Sequence, residues 1–421
     1  MSGKISPSAV GRLLIGLWLA ATCAHVQAQA WTLEASIERA TAVAPEMRVA
    51  EAETAARAGE LKQARTWPNP MVDLRTDEKL GIEDGRGGYS LNQVSISQSI
   101  PLRRLAHQRR AAEAGLESAR EEQRHRRLLV ETQVARAYHA LQLAAERQRV
   151  AEERLRFAEG LRPGGDRLVR YLSPLERARL DILRETARQD VAQAEGKWSE
   201  ADAKFRTLLA LPPDERHTTI PLAPVAAPTA LSSLYKRLTA HPALRTAQQT
   251  REASRAAVDV ARSQRFADPT VSVFRERDFL GGARRDYSGV MLGVQIPLWN
   301  RNDGGVVRAL AEVDRADALL EVQRRDLESR LRQNHVRLGR LIEQAEQYRT
   351  RLLVPARQLL ELTRKGFATG EQNGLALVDA SNTYFEAQAR YLELLHDAWV
   401  EAAELRLAAG TSLADGTEEK P

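Results

Sequence analysis

Cysteine is all but missing from this 421-residue chain: Cys23 is the only one. Aromatic residues make up 5% and methionines number four, none of them clustered. One cysteine excludes a disulfide framework within the chain. Scattered methionines exclude a thioether ladder for soft metals. So few aromatics leave little material for broad globular cores. Beyond the N-terminus no stretch approaches the roughly eighteen apolar residues of a membrane-spanning helix, so none is expected. Catalytic signatures are missing too. The chain holds no Gly-x-Ser-x-Gly, no His-Glu-x-x-His and no phosphate-binding loop, and "GRGG" at 85–88 reads as a hairpin loop. The expectation is a protein without enzyme activity and without a cofactor. His107, His125, His139, His335 and His396 lie on charged helices with no partner at ligand spacing. They read as solvated surface, and no metal site is expected.

What is present is the composition of long helices. Ala, Arg, Glu, Gln and Leu are abundant, and charged residues make up 28%. The net charge is +6, but Arg and Glu interleave along the helices. That is the pattern of a solvated helix face and not of a nucleic-acid site. Lys4 and Arg12 precede the short apolar run "LLIGLWLAA", and "AQA" closes at Ala30. Residues 1–30 therefore read as a secretory signal. Cys23 lies inside it. It also offers a lipidation site after "LAAT", although Thr22 is a poor residue before such a cysteine. An exported chain without membrane helices enters a bilayer only through strands.

The chain repeats itself. "AVAPEMRVAEAETAARAGELKQAR" at 42–65 echoes "LTAHPALRTAQQTREASRAAVDVAR" at 238–262. Each copy continues through a proline, a strand, a Gly-rich loop, a second strand, Ile-Pro-Leu, a long helix, a Gly-bearing turn and a returning helix. The copies span 31–210 and 231–411. Between them, 211–230 holds five prolines and reads as an extended linker. Residues 412–421 are expected to form a flexible tail.

In "PMVDLRTDEK" Val72 and Leu74 alternate with Asp73 and Arg75, and in "SLNQVSISQSI" Val94 and Ile96 alternate with Gln93, Ser95 and Ser97. In the second copy Val271 and Val273 flank Ser272. After the loop "GGARRD", Val290, Leu292, Val294 and Ile296 alternate with Gly293 and Gln295. Period two gives each strand one apolar and one polar face. The lengths, about 9–11 residues, suit tilted strands crossing a bilayer. Trp67 and Trp299 flank them, as expected of interface aromatics. Pro101 and Pro297 mark the expected exits from strand to helix, where a missing N–H is tolerated. The helices carry heptads: Val130, Ala137, Ala144, Ala151 and Ala158; Leu331, Leu338, Ala345 and Leu352; Leu377, Tyr384, Tyr391, Ala398 and Leu405. Four strands cannot close a barrel, and open edges are not tolerated in lipid, so several copies must share one. Periodicity alone also fits a periplasmic coiled-coil adaptor with small β parts.

"WTLEASIERATAVAPEM", the two Ile-Pro-Leu junctions, the tandem repeat, and the turns "FAEG" and "FATGEQNGLALVDA" together resemble the TolC family of outer-membrane efflux channels. The resemblance covers 31–411. Within the family the compact strand loops and "YLSPLERARL" look most like the metal-cation branch, the CzcC and CusC type. The resemblance implies a mainly α fold with a small membrane β part. Long coiled-coil helices would form an α-barrel, and four strands per chain would enter a twelve-stranded barrel shared by a homotrimer in outer-membrane lipid. It implies partners as well: a periplasmic adaptor and an inner-membrane pump of the RND type. It places Gly160, Leu172 and Ser173 at one adaptor-contacting tip and Gly370 and Gly374 at the other. Asp379 becomes a candidate lumenal gate, with Ala376 where a second carboxylate would be expected.

Overall fold

Small side chains every seventh residue let helices run side by side over long distances. The computed structural model is built accordingly, and it describes residues 29–76, 91–161, 173–213, 217–280 and 283–414. In chain order come β1 (Gln29–Trp31), α1 (Leu33–Val43), α2 (Pro45–Ala64), β2 (Met71–Thr76), β3 (Leu91–Ser99), α3 (Arg104–Gly160) and α4 (Pro174–Leu209). Then follow β4 (His217–Thr219), α5 (Leu231–Arg237), α6 (Pro242–Ser263), β5 (Thr270–Leu280), β6 (Ala283–Gly293), α7 (Asp303–Tyr348), α8 (Val354–Thr369) and α9 (Gly374–Ala409). The 57 residues of α3 extend about 85 Å at 1.5 Å per residue. None of the described helices is long and apolar enough to cross a membrane.

The helices make two tiers. Near the sheet, neighbours run α2–α3–α6–α7; further away they run α4–α3–α9–α8. Thus α3 and the α7–α8 rod pass through both tiers, while α2 and α4 stack end to end, as do α6 and α9. The heptad residues form the seam: Val130, Ala144, Ala151 and Ala158 are buried on α3, and Leu331, Leu338 and Ala345 on α7.

Leu352 breaks the second series, because it is exposed. A π-helical turn, Arg349–Leu353, separates α7 from α8 and inserts one residue into the repeat. Beyond it Leu360 and Phe367 are buried, one position later than the heptad extrapolates, and Leu359 faces outward. Pro355, at the second position of α8, lacks the N–H of a regular α-turn there.

A girdle surrounds the middle of the helices. In it α1 packs on α3 and α4, and α5 packs on α7 and α9. Ile37, Val134, Leu141, Phe205 and Leu209 form one core there; Leu234, Leu244, Leu331 and Leu405 form another. Strand β1 pairs in parallel with β4, so Gln29 and Ala30 lie opposite His217 and Thr218. The linker thus contains one short strand, His217–Thr219, where only extended chain was expected. Residues 220–229 are held from outside, since prolines offer no N–H donors. Gln142 Nε2 donates to Ile220 O at 2.6 Å, Trp399 Nε1 to Ala223 O at 2.7 Å, and His335 Nε2 to Thr229 O at 3.1 Å.

Two expectations fail in this girdle. His139 is no surface residue: it is 3% exposed, hydrogen-bonds Gln142 through Nδ1 at 2.8 Å, and stacks on Trp399 with ring centroids 4.9 Å apart. A lone histidine on a charged helix gives no sign that a tryptophan more than two hundred residues away will cover it. Nor does a flexible tail begin at 412. Ser412 Oγ and the Leu413 N–H donate to the fully buried carboxylate of Glu131, the latter at 2.8 Å, and the Leu413 side chain enters the first girdle core.

Candidate channel wall and helix-hairpin ends

The four longer strands form one antiparallel sheet in the order β2–β3–β5–β6. Its register builds continuous rungs. Val72, Ile96, Val273 and Val290 stand in one row across all four strands, and all four are exposed. The rung on one side holds Gln98, Val271 and Leu292; on the other lie Leu74, Val94, Arg275 and Ser288. The opposite face is more polar: Asp73, Ser95, Phe274 and Gly289 share one rung and Arg75, Gln93, Glu276 and Tyr287 the next. Gly289 makes room for its partner, because a Cβ there would lie 2.6 Å from Phe274 Cζ. An exposed row of four branched apolar side chains is a surface made for burial. Among the described residues β2 and β6 each pair on one side only, so both edges present unpaired backbone groups.

Three strand details differ from expectation. Residues 283–286 of "GGARRD" belong to β6 and pair with 277–280, and 281–282 lie outside the described residues. Arg275 and Arg277 both grip Asp286 across this pair. Strand β6 ends at Gly293, so Val294 and Ile296 continue the alternation outside the sheet. Neither proline enters a first helical turn: Pro101 precedes α3 by three residues and Pro297 precedes α7 by six. What starts α7 is Asn302, in the left-handed region (φ 58°), where asparagine is tolerated. Its Nδ2 donates to Ala261 O at 2.8 Å, locking the helix start against the end of α6.

At the far end lie the hairpin turns. Ala158, Leu161, Leu180 and Leu183 of the first pack against Leu360, Phe367, Leu377 and Ala380 of the second. Leu172 lies outside the described residues. Ser173 is the N-cap of α4: its Oγ accepts from Glu176 N, and the Glu176 carboxylate accepts from Ser173 N, the reciprocal pair of a capping box. Glu176 Oε1 also faces Gly374 N at 3.4 Å, joining the two turns. These contacts hold the Glu176 carboxyl below its ordinary pKa, the Ser173 backbone first, then its hydroxyl and the Gly374 backbone. Gly370 takes φ 82° and caps α8, whereas Gly160 is simply the last helical residue of α3, with Leu161 as C-cap. Asn373, which the sequence reading passed over, caps α9 through Oδ1 and the Ala376 N–H. An Asn directly before Gly and an apolar-periodic run is a helix-start signal. Asp379 is exposed and stands sixth in α9, past the first turn where a helix N-terminus favours carboxylates. Among the described residues no group of three or more His, Cys, Asp or Glu gathers as a metal site.

The family model for outer membrane efflux proteins matches residues 36–160 and 234–411, which is the first repeat up to the end of α3 and nearly all of the second. The cobalt-zinc-cadmium resistance protein CzcC of Cupriavidus metallidurans is 25% identical over 378 residues, covering 89% of this chain and 88% of that one. The nickel-cobalt-cadmium resistance protein NccC of Alcaligenes xylosoxydans xylosoxydans is 28% identical over 326 residues, 74% of this chain and 71% of its own. Among solved structures, the outer membrane protein VceC of Vibrio cholerae superposes with a TM-score of 0.73 at 16% identity, covering 90% of this chain and 96% of that chain. CusC superposes with 0.68 at 19%, covering 90% and 92%. The adaptor reading is thereby set aside. With its paired repeats, its four-stranded sheet and a family match over most of its length, the chain belongs to the outer membrane efflux protein family and is an outer-membrane channel of TolC type.

Proposed function

We propose that the channel is a homotrimer that passively conducts divalent transition-metal cations out of the periplasm. An RND-type inner-membrane pump and a periplasmic adaptor would deliver the cargo. The observation that carries this reading is the sheet: four strands with an apolar row and two free edges need further strands to survive in lipid. Three copies give twelve strands, enough to leave a lumen. The helices agree with closure by neighbours. Val49 on α2 and Ile182 on α4 are exposed at one flank, and Val322 on α7 and Leu362 on α8 at the other. The cargo comes from the relatives, two of which are metal-resistance proteins.

In this reading the hairpin turns around Ser173, Gly370 and Gly374 meet the adaptor, and Asp379 lines the narrow end of the lumen. Three symmetry-related carboxylates there favour cations and bind multivalent ones. Ala376 supplies no second ring, so block by trivalent cations is weak. Planar-bilayer recording tests the gate: Asp379→Asn lowers cation preference and relieves trivalent block while the trimer persists. Unchanged selectivity and block remove Asp379 from the lumen. A metal-sensitive host expressing this chain with a cognate pump and adaptor tests the cargo, and failure to raise tolerance to zinc, cobalt or cadmium overturns that part.

A further inference from the structure

The sheet joins the helices at four places: 65–70, 100–103, 264–269 and 294–302. Hydrogen bonds tie them into one level. Gln98 Nε2 donates to Pro68 O at 2.9 Å, Ile100 N to Pro269 O at 2.8 Å, and Asn302 Nδ2 reaches both Ala261 O and Gln264 Oε1. Each junction repeats one combination, an arginine beside a large exposed apolar side chain: Arg65 with Trp67 (55% exposed), Arg103 with Leu102 (71%), Arg265 with Phe266 (63%), and Arg301 with Trp299 (93%). Arg265 already lies over the Phe266 ring, 5.7 Å from its centroid.

Arginines outnumber carboxylates at this level. Asp268 is the only acidic residue within the four junctions, and Arg104 holds it at 2.6 Å. Arg65 shares the single carboxylate of Glu113 with Arg109. Among the described residues Arg103, Arg265 and Arg301 are in no ion pair, and neither are Arg110 and Arg308 one or two turns into the helices. Elsewhere on the helices arginines sit in ladders with Glu three or four residues away, as Arg120 with Glu117 and Arg325 with Glu321 do. An arginine beside an apolar anchor recurs at every crossing between sheet and helices, and at three of the four it has no carboxylate partner among the described residues.

We infer that this belt binds the phosphate groups of anionic phospholipids in the periplasmic leaflet of the outer membrane. The inference rests on the strands lying in the bilayer, which puts all four junctions at its inner surface. Aromatic and leucine side chains enter the interfacial zone there. The guanidinium groups, which bind phosphate bidentately, meet the headgroups. Charge complementarity selects phosphatidylglycerol-like over zwitterionic lipid, because juxtamembrane basic residues are drawn to anionic surfaces.

The test reconstitutes the full-length channel in vesicles of phosphatidylethanolamine with a one-fifth share of phosphatidylglycerol. Protein is re-extracted in mild detergent and its bound lipid counted by mass spectrometry. The expected result is a severalfold enrichment of phosphatidylglycerol over the bulk. The enrichment falls to the bulk ratio in Arg103→Gln/Arg265→Gln/Arg301→Gln and persists in the triple lysine variant. It also survives added inorganic phosphate. Resistance to carbonate extraction, scored in parallel, reports insertion and separates a lost barrel from a lost lipid preference. An inserted protein with no enrichment, one whose enrichment ignores the glutamine substitutions, or one stripped by inorganic phosphate overturns the proposal.

Discussion

Acidification should loosen the girdle through His139, and the size of the effect follows from its surroundings. Burial disfavours the imidazolium and pushes the His139 pKa from 6.5 down to about 4; the Gln142 hydrogen bond opposes this only in part, and nearby His396 adds to it. Well above pH 6.5 the ring is neutral in both folded and unfolded chains and contributes no pH dependence. Below 6.5 the unfolded chain takes up a proton that the folded one refuses until about pH 4. Stability therefore falls as pH drops through this window and levels off beneath it. At about pH 5.5 the loss from this residue is on the order of 1 kcal/mol per protomer, rising toward about 3 kcal/mol at full effect. Ordinary carboxylates titrate below that first step, so histidines dominate the loss from pH 7 to 5.5; Glu401, whose pKa burial raises, contributes with the opposite sign. Denaturant unfolding of the detergent-solubilised channel at the two pH values measures the loss. His139→Gln should lower stability at pH 7 but shrink the acid-induced loss by about the amount given. His241 and His125, whose pKa values burial also lowers, account for the slope that remains. An equal loss in parent and variant refutes the argument.

Glu131→Leu leaves the buried Leu413 N–H without its acceptor and removes the partner of the half-buried Ser412 Oγ, and should cost about 2 kcal/mol, since an unsatisfied buried group costs roughly 1–3 kcal/mol; early protease cleavage near 412 reports the freed segment. Gly410→Ala places a Cβ at φ 70° and 2.9 Å from His241 Cδ2. It should lose about 1–2 kcal/mol from the backbone alone, with more from displacing the ring that caps α6, and thermal unfolding checks it. Gly374→Ala should be silent, because its Cβ meets Glu176 at an ordinary 3.6 Å. Gly374→Trp should part the two turns and abolish export in cells at normal oligomer yield.

Local periodicity carried most of the architecture. Val130 to Ala158 and Leu377 to Leu405 follow their heptads because neighbouring helices press on them all along their length. The alternation at Val72, Ile96, Val273 and Val290 became one row for the same reason: period two survives pairing. What sequence could not disclose depended on distant partners or on single insertions. The π-turn at Arg349–Leu353 is hidden because Leu352 and Leu359 keep the apolar heptad while the backbone has already shifted by one. His139, Glu131 and the linker carbonyls are buried or satisfied by residues far along the chain. Of the hairpin residues, Ser173 and Gly370 are explained by capping chemistry, whereas nothing local to Gly160 or Asp379 requires those residue types.

The account turns on whether the sheet closes with other copies. Among the described residues β2 and β6 leave one side of their backbones unpaired, and each such group in hydrocarbon costs several kcal/mol. Mass measurement of the purified channel in detergent, by light scattering corrected for bound detergent, is the most direct test. Three chains per particle is the predicted result. A stable, folded monomer that keeps its strands would contradict the account.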